Sequence, residues 1–194
     1  MELLRATIIT DTINLSATAK KATALDVSIL QNIEEMHRNL QVSREDVFND
    51  ILEVKKDVKG FTVEQLFRKD LKIVPLLNGF QAAVPSTLLL GEDICQKNEH
   101  LEQVFDNFCL RYECQLLINI GSSRLQKDIL FYYPEEQKNS QKLIDKMVDN
   151  LITHEEIDAK IFLDFKTPSP RCVLVKLGNV TFTRKKVLPI ICQQ

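Results

Sequence analysis

Arg184, Lys185 and Lys186 form the densest cationic run in the sequence. They follow the apolar segment 172–182 and precede Val187-Leu188-Pro189-Ile190-Ile191, so the backbone of the run is expected to be pinned on both sides. Arginine offers a planar fork of donors for two phosphate oxygens, and lysine sets a compact charge beside it. That pairing suits an anion of spread charge, such as a phosphate chain. A solvated charged face has the same composition, and residue types alone leave both readings open. Geometry adds a condition. In a regular strand Arg184 and Lys185 point to opposite faces, so they converge on one ligand only where the chain leaves strand geometry.

A second cationic pair, Lys20-Lys21, lies in the small, polar segment 14–24. It is either a surface pair or the other side of an anion site. The remaining chemistry-bearing residues point less far. His37, His100 and His154 are scattered, with no second histidine at helical spacing, and read as surface or helix-end residues rather than metal ligands. Asp11 could serve as an acid, a metal ligand or a helix-end residue. Gly121-Ser122-Ser123 lacks the glycine and lysine spacing of a phosphate loop. Cys109 and Cys114 fall on or near an apolar helix face and read as core. No catalytic residue and no metal ligand is assigned.

Composition sets outer bounds. The chain has 194 residues, 44% hydrophobic and 27% charged, with a net charge of −2. This is the profile of a globular protein without a global basic field for nucleic acid or membrane. Any anion site must therefore be local. The five cysteines are odd in number and contain no Cys-x-x-Cys pair. With no secretory signal at the start, they predict reduced thiols and a cytoplasmic setting. No apolar run approaches the length of a membrane span.

The elements that must position these residues follow from periodicity and caps. Leu3–Ile13 predicts a short helix closed by Asp11-Thr12. Asp26 is expected to cap a helix to Leu40, with Val27, Leu30, Ile33 and Met36 as its apolar stripe. Ser43 starts a second helix through Val47, Ile51, Val54 and Val58, and Thr62 a third to about Asp70. Asn78-Gly79 between apolar runs predicts a hairpin of 71–77 with 80–84, with Pro75 and Pro85 at an edge or strand end. One long helix is expected over 92–114. Strands follow at 115–120, 129–133 and 161–165, with a helix over 140–152 between the last two. A final hairpin is expected from 172–177 and 180–182. The pattern is that of one α/β domain, a mixed sheet covered by helices, with a helical N-terminal third.

Four segments, in order, carry a resemblance: Asp11-Thr12-Ile13-Asn14 with Lys20-Lys21-Ala22-Thr23-Ala24-Leu25-Asp26; Phe67-Arg68-Lys69-Asp70 with Leu71-Lys72-Ile73-Val74; Ala82-Ala83-Val84-Pro85-Ser86; and Thr183-Arg184-Lys185-Lys186-Val187-Leu188-Pro189. Together they resemble the C-terminal, DHH-associated type 2 domain of the DHH phosphoesterases, as in prune-type exopolyphosphatases and family II inorganic pyrophosphatases. The resemblance covers nearly the whole chain.

It implies a domain that closes over pyrophosphate or inorganic polyphosphate. Arg184, Lys185 and Lys186 with Lys20 or Lys21 would hold the substrate, and Thr183 stands where the family motif has serine. In such enzymes a separate N-terminal domain carries two divalent metals, manganese or magnesium, that activate water. That domain is not recognisable in this sequence, so the chain is expected to bind substrate without turning it over alone. A DHH domain or another protein would be its partner. The alternative is a non-catalytic protein-interaction module derived from a prune-like protein.

Overall fold

The computed structural model describes residues 2–37, 42–58, 60–76, 79–97, 100–123, 125–135, 140–161 and 169–192, the side chain of Lys56 excepted. The chain divides into two compact units, up to residue 59 and from Gly60 onward.

The first unit is helical. It contains α1 (Glu2–Asp11), α2 (Ala24–Met36) and α3 (Arg44–Lys56). Ile9, Leu30 and Ile33 are buried, whereas Met36 and Val54 of the expected stripes are exposed. The cap of α2 differs from expectation by three residues. Thr23 is the N-cap, and Asp26 returns the bond as the third helical residue, a reciprocal capping box. Its carboxylate therefore accepts from the Thr23 backbone N–H at 2.8 Å. The helix is described to Met36, and the predicted end at Leu40 lies outside the described residues. Ser43 caps α3 as its sequence predicts. A buried Arg5 pairs with Glu34 at 3.0 Å, and Arg44 bonds the same carboxylate. The Arg44 hydrogen bonds hold Glu34 below its ordinary pKa against the opposing effect of burial.

After α1 the chain makes a left-handed turn. Ile13, Asn14 and Leu15 have φ of 54°, 52° and 56°, a conformation that costs non-glycine residues energy. Thr12 holds it. Its hydroxyl donates to Ile8 O at 2.6 Å and accepts the Leu15 N–H at 3.1 Å.

The second unit is α/β. Its elements are α4 (Val63–Lys69), β1 (Leu71–Pro75), β2 (Gln81–Thr87), α5 (Gly91–Gln96), α6 (Leu101–Arg111), β3 (Leu116–Ser122), β4 (Lys127–Tyr132), α7 (Ser140–Thr153), β5 (Ala159–Ile161), β6 (Cys172–Leu177) and α8 (Arg184–Ile191). The sheet runs β1-β2-β3-β4-β6-β5, with β2 and β3 parallel and the other neighbours antiparallel. Alternating side chains feed two cores. On one face Val84, Ile118, Ile120, Ile129 and Phe131 pack with Met147, Leu151, Val187 and Ile191. On the other, Ala83, Leu117, Leu130 and Tyr132 pack with Phe67, Ile94, Phe105 and Phe108. Helices on both sides explain why β3 is apolar from Leu116 to Ile120 but for the buried Asn119. Among the described residues no helix is long and apolar enough to cross a membrane.

The β1–β2 hairpin forms, with Leu76 N–H donating to Phe80 O at 2.7 Å and Gly79 at φ 76°. Asn78 lies outside the described residues. Pro75 sits in edge strand β1, and Pro85 pairs with Leu71 at the end of the ladder. Two expectations are corrected. The single helix over 92–114 is described as two, Gly91–Gln96 and Leu101–Arg111, with Lys97 and His100 in turns. The final hairpin also does not form. Residues 180–182 turn around Asn179, whose side-chain oxygen accepts from the Thr181 N–H at 3.1 Å and hydroxyl at 2.7 Å. An Asx turn competes directly with strand pairing, and here it feeds a helix. The expected strand 161–165 is described as Ala159–Ile161, and 162–165 lie outside the described residues.

Candidate functional site: the cationic start of the last helix

The run 184–186 is the first turn of α8, so the condition set by its sequence is met: the chain has left strand geometry. Thr183 is the N-cap, with φ −90° and ψ 167°, and its side chain makes no capping bond. The first N–H groups of a helix have no acceptor inside it, and the helix dipole adds partial positive charge there. Lys185 and Lys186 are exposed on this turn. Val187, Ile190 and Ile191 are buried and fix the helix against the sheet.

Phe182, the residue before the cap, is held from three directions. The His154 ring meets its ring edge-on at 5.9 Å. The Lys186 ammonium lies 5.4 Å from the ring centroid. The Lys127 ammonium donates to its carbonyl at 2.7 Å. Lys127 opens β4 opposite Ser122, the last residue of β3. The start of α8 therefore lies beside the carboxyl end of β3, one of the two parallel strands. That end is where open α/β sheets place their ligands.

Arg184 behaves differently from its neighbours. Its side chain is 10% exposed and turned into the fold. Nη1 donates to Asp70 O at 2.7 Å and Val84 O at 3.0 Å, and Nη2 donates to Asp70 Oδ1 at 2.6 Å. Asp70 O also accepts the Ser86 N–H at 3.0 Å. One guanidinium thus ties the end of α4, the start of β1 and the middle of β2 to the start of α8.

On the opposite face of the same sheet end lies a buried carboxylate. Asp128 accepts from Gly91 N–H at 2.9 Å and Glu92 N–H at 3.4 Å, the first turn of α5. Burial pushes its pKa up to about 6 despite those bonds. Gly121 is required beside it: a Cβ there would lie 2.3 Å from Asp128 Oδ1 and 2.8 Å from Leu89 O.

Of the residues singled out by sequence, Arg184, Lys185 and Lys186 share one helical turn, with Arg184 facing in and the lysines out. Lys20 and Lys21 belong to the first unit, both exposed, with Lys20 at φ 49°. Lys127 and Asp128 were not singled out. A lone lysine and aspartate ahead of an apolar strand carry no local signal; only strand register brings them to this end. Among the described residues no group of three or more His, Cys, Asp or Glu side chains could hold a metal ion.

The second unit is thus an α/β domain with a mixed sheet and a cationic helix start beside the end of its parallel pair. The chain belongs to the DHHA2 domain family, whose sequence model matches residues 49–193. It is 25% identical over 194 residues to exopolyphosphatase PRUNE1 of Rattus norvegicus, covering 97% of this chain and 41% of that protein. It is 30% identical over 116 residues to exopolyphosphatase PRUNE1 of Homo sapiens, covering 60% of this chain and 25% of that protein. The chain thus spans less than half the length of these relatives. The fold matches a Methanococcus jannaschii protein described as a candidate family II inorganic pyrophosphatase, with a TM-score of 0.58 at 17% identity, over 97% of this chain and 53% of that one.

Proposed function

We propose that this chain supplies the anion-holding half of a phosphoanhydride hydrolase, binding pyrophosphate or inorganic polyphosphate at the start of α8. The carrying observation is the convergence there of exposed Lys185 and Lys186 with an uncapped helix N-terminus. The relatives' names, exopolyphosphatase and inorganic pyrophosphatase, support a substrate of that kind. The chemistry assigned to these residues is neutralisation and orientation of phosphoryl oxygens. Lys20 or Lys21 remains the family-implied second lysine, and a DHH domain would bring manganese or magnesium and the attacking water. A cytoplasmic setting is part of the proposal, supported by five free cysteines, four of them buried.

Phosphate release and binding separate the two halves of this reading. The isolated chain with manganese is expected to bind pyrophosphate in a calorimetric titration and to release no phosphate from it. Robust turnover would contradict the division of labour, and absence of binding would contradict the site. One observation favours the second reading, a non-catalytic interaction module: Arg184, the residue best suited to grip phosphate, already holds Asp70.

A further inference from the structure

We infer that Lys127 belongs to the same anion site, fixing the turn into α8 through Phe182 and presenting its remaining ammonium donors to a phosphoryl group held at the start of the helix. This deepens the proposed function and rests on it. Lys127 is neither in the cationic run nor in any segment that carried the resemblance.

The argument starts from what an ammonium needs. Lysine has three N–H donors, and among the described residues the Lys127 ammonium makes one hydrogen bond, to Phe182 O. No carboxylate is within ion-pair distance among the described residues. The side chain is half-buried, and burial lowers its pKa without a compensating charge. A desolvated cation of this kind is stabilised by an arriving anion more than an exposed lysine is.

Position makes the anion specific. The carbonyl that Lys127 grips belongs to the residue directly before N-cap Thr183, whose side chain caps nothing. The ammonium is therefore one peptide away from the free N–H groups of the helix start. On its own strand ladder it faces Ser122 and Leu177, neither of them charged. Lys127 on β4 and Lys185 on the first turn of α8 offer charge from two elements to one ligand. Two separated cations around a set of N–H donors fit an oxyanion with several oxygens, a terminal phosphoryl of pyrophosphate or a polyphosphate chain.

The test is a calorimetric titration with inorganic tripolyphosphate of wild type, Lys127→Arg, Lys127→Gln and Lys185→Ala. Gln keeps an N–H for Phe182 O and removes the charge. Lys127→Gln is expected to weaken binding about tenfold, the loss of one charge-assisted bond, with Lys127→Arg within about threefold of wild type. Binding by wild type that falls in Lys185→Ala but stays within about twofold in Lys127→Gln would overturn this inference and leave the proposed function standing. No binding by wild type would overturn both. Should Lys127→Gln unfold, side-chain NMR of wild type decides: the Lys127 ammonium resonance is expected to move on adding tripolyphosphate, and an unmoved resonance in protein that binds would overturn the inference.

Discussion

Arg184 reaches back 114 residues to Asp70, closing an ion pair at 2.6 Å while the same guanidinium binds two backbone carbonyls. Removing the arginine takes its donors from Val84 O and from Asp70, leaving Asp70 O with the Ser86 N–H. Arg184→Ala is expected to cost about 2–4 kcal/mol in urea unfolding, and Asp70→Ala about 1 kcal/mol, because the carbonyl bonds survive the second change. The double variant should be no less stable than Arg184→Ala alone. Equal and additive losses would show that the two residues act independently.

The same pair bears on binding. Asp70 occupies Arg184 as a carboxylate, so it competes with any anion for the guanidinium. If Arg184 serves chiefly to position the helix start, Asp70→Asn leaves tripolyphosphate affinity within about twofold of wild type. A clear gain in affinity would instead identify Arg184 as a direct ligand restrained by Asp70.

Asp128 gives a pH dependence with a definite sign. Its folded pKa is raised from 3.8 to about 6 by burial. The native state therefore binds its proton more tightly than the unfolded chain does. The residue's contribution to stability is highest below about pH 4 and declines as pH rises through about 6, by ~3 kcal/mol in total. Glu92 and Asp93 at the start of α5 add to the rise, while Lys176 lies across from Asp128 in β6 and pairs with Glu92 at 3.3 Å. Unfolding curves for wild type and Asp128→Asn at the two ends of this window should converge at low pH and separate as pH rises. A constant difference would show that Asp128 does not titrate there.

Gly121→Ala probes the same contact sterically. The added Cβ meets Asp128 Oδ1 and the backbone of Leu89 and Leu90, and backbone cannot step aside. A loss of about 1–3 kcal/mol is expected in chemical unfolding; wild-type stability would mean that the strand end is loosely packed.

Thiol reactivity reports the cores. Burial pushes Cys95 up to about 12 and Cys114 to about 11, and raises Cys109 and Cys172 as well. Cys192 is the least buried of the five. With an aromatic disulfide reagent near neutral pH, Cys192 should label first and the others only on unfolding. Fast labelling of Cys109 would show that the α6 face opens.

Much of the fold was legible because local signals agreed with the tertiary outcome. Ser43 and Thr62 are caps that work within one helical turn, and the apolar run in β3 needs only helices on both sides. The two failures in the fold lie where a turn competes with regular structure. Asn179 diverts 180–182 from pairing, and Lys97 and His100 adopt turns where the apolar spacing of 92–114 predicts one helix. At the site, adjacent cations announced themselves, but the inward turn of Arg184 depends on Asp70, and the arrival of Lys127 depends on strand register. Neither leaves a mark in the run itself.

The account's central claim is that exposed charge at the start of α8 holds a phosphate chain. The most direct measurement is a titration of pyrophosphate into wild type and Lys185→Glu at matched salt, with far-UV circular dichroism confirming that both are folded. Lys185 is exposed, so the fold is expected to be unchanged. The predicted result is binding by wild type and a loss of at least about thirtyfold in the charge-reversed variant. Equal affinity in the two proteins would contradict the claim.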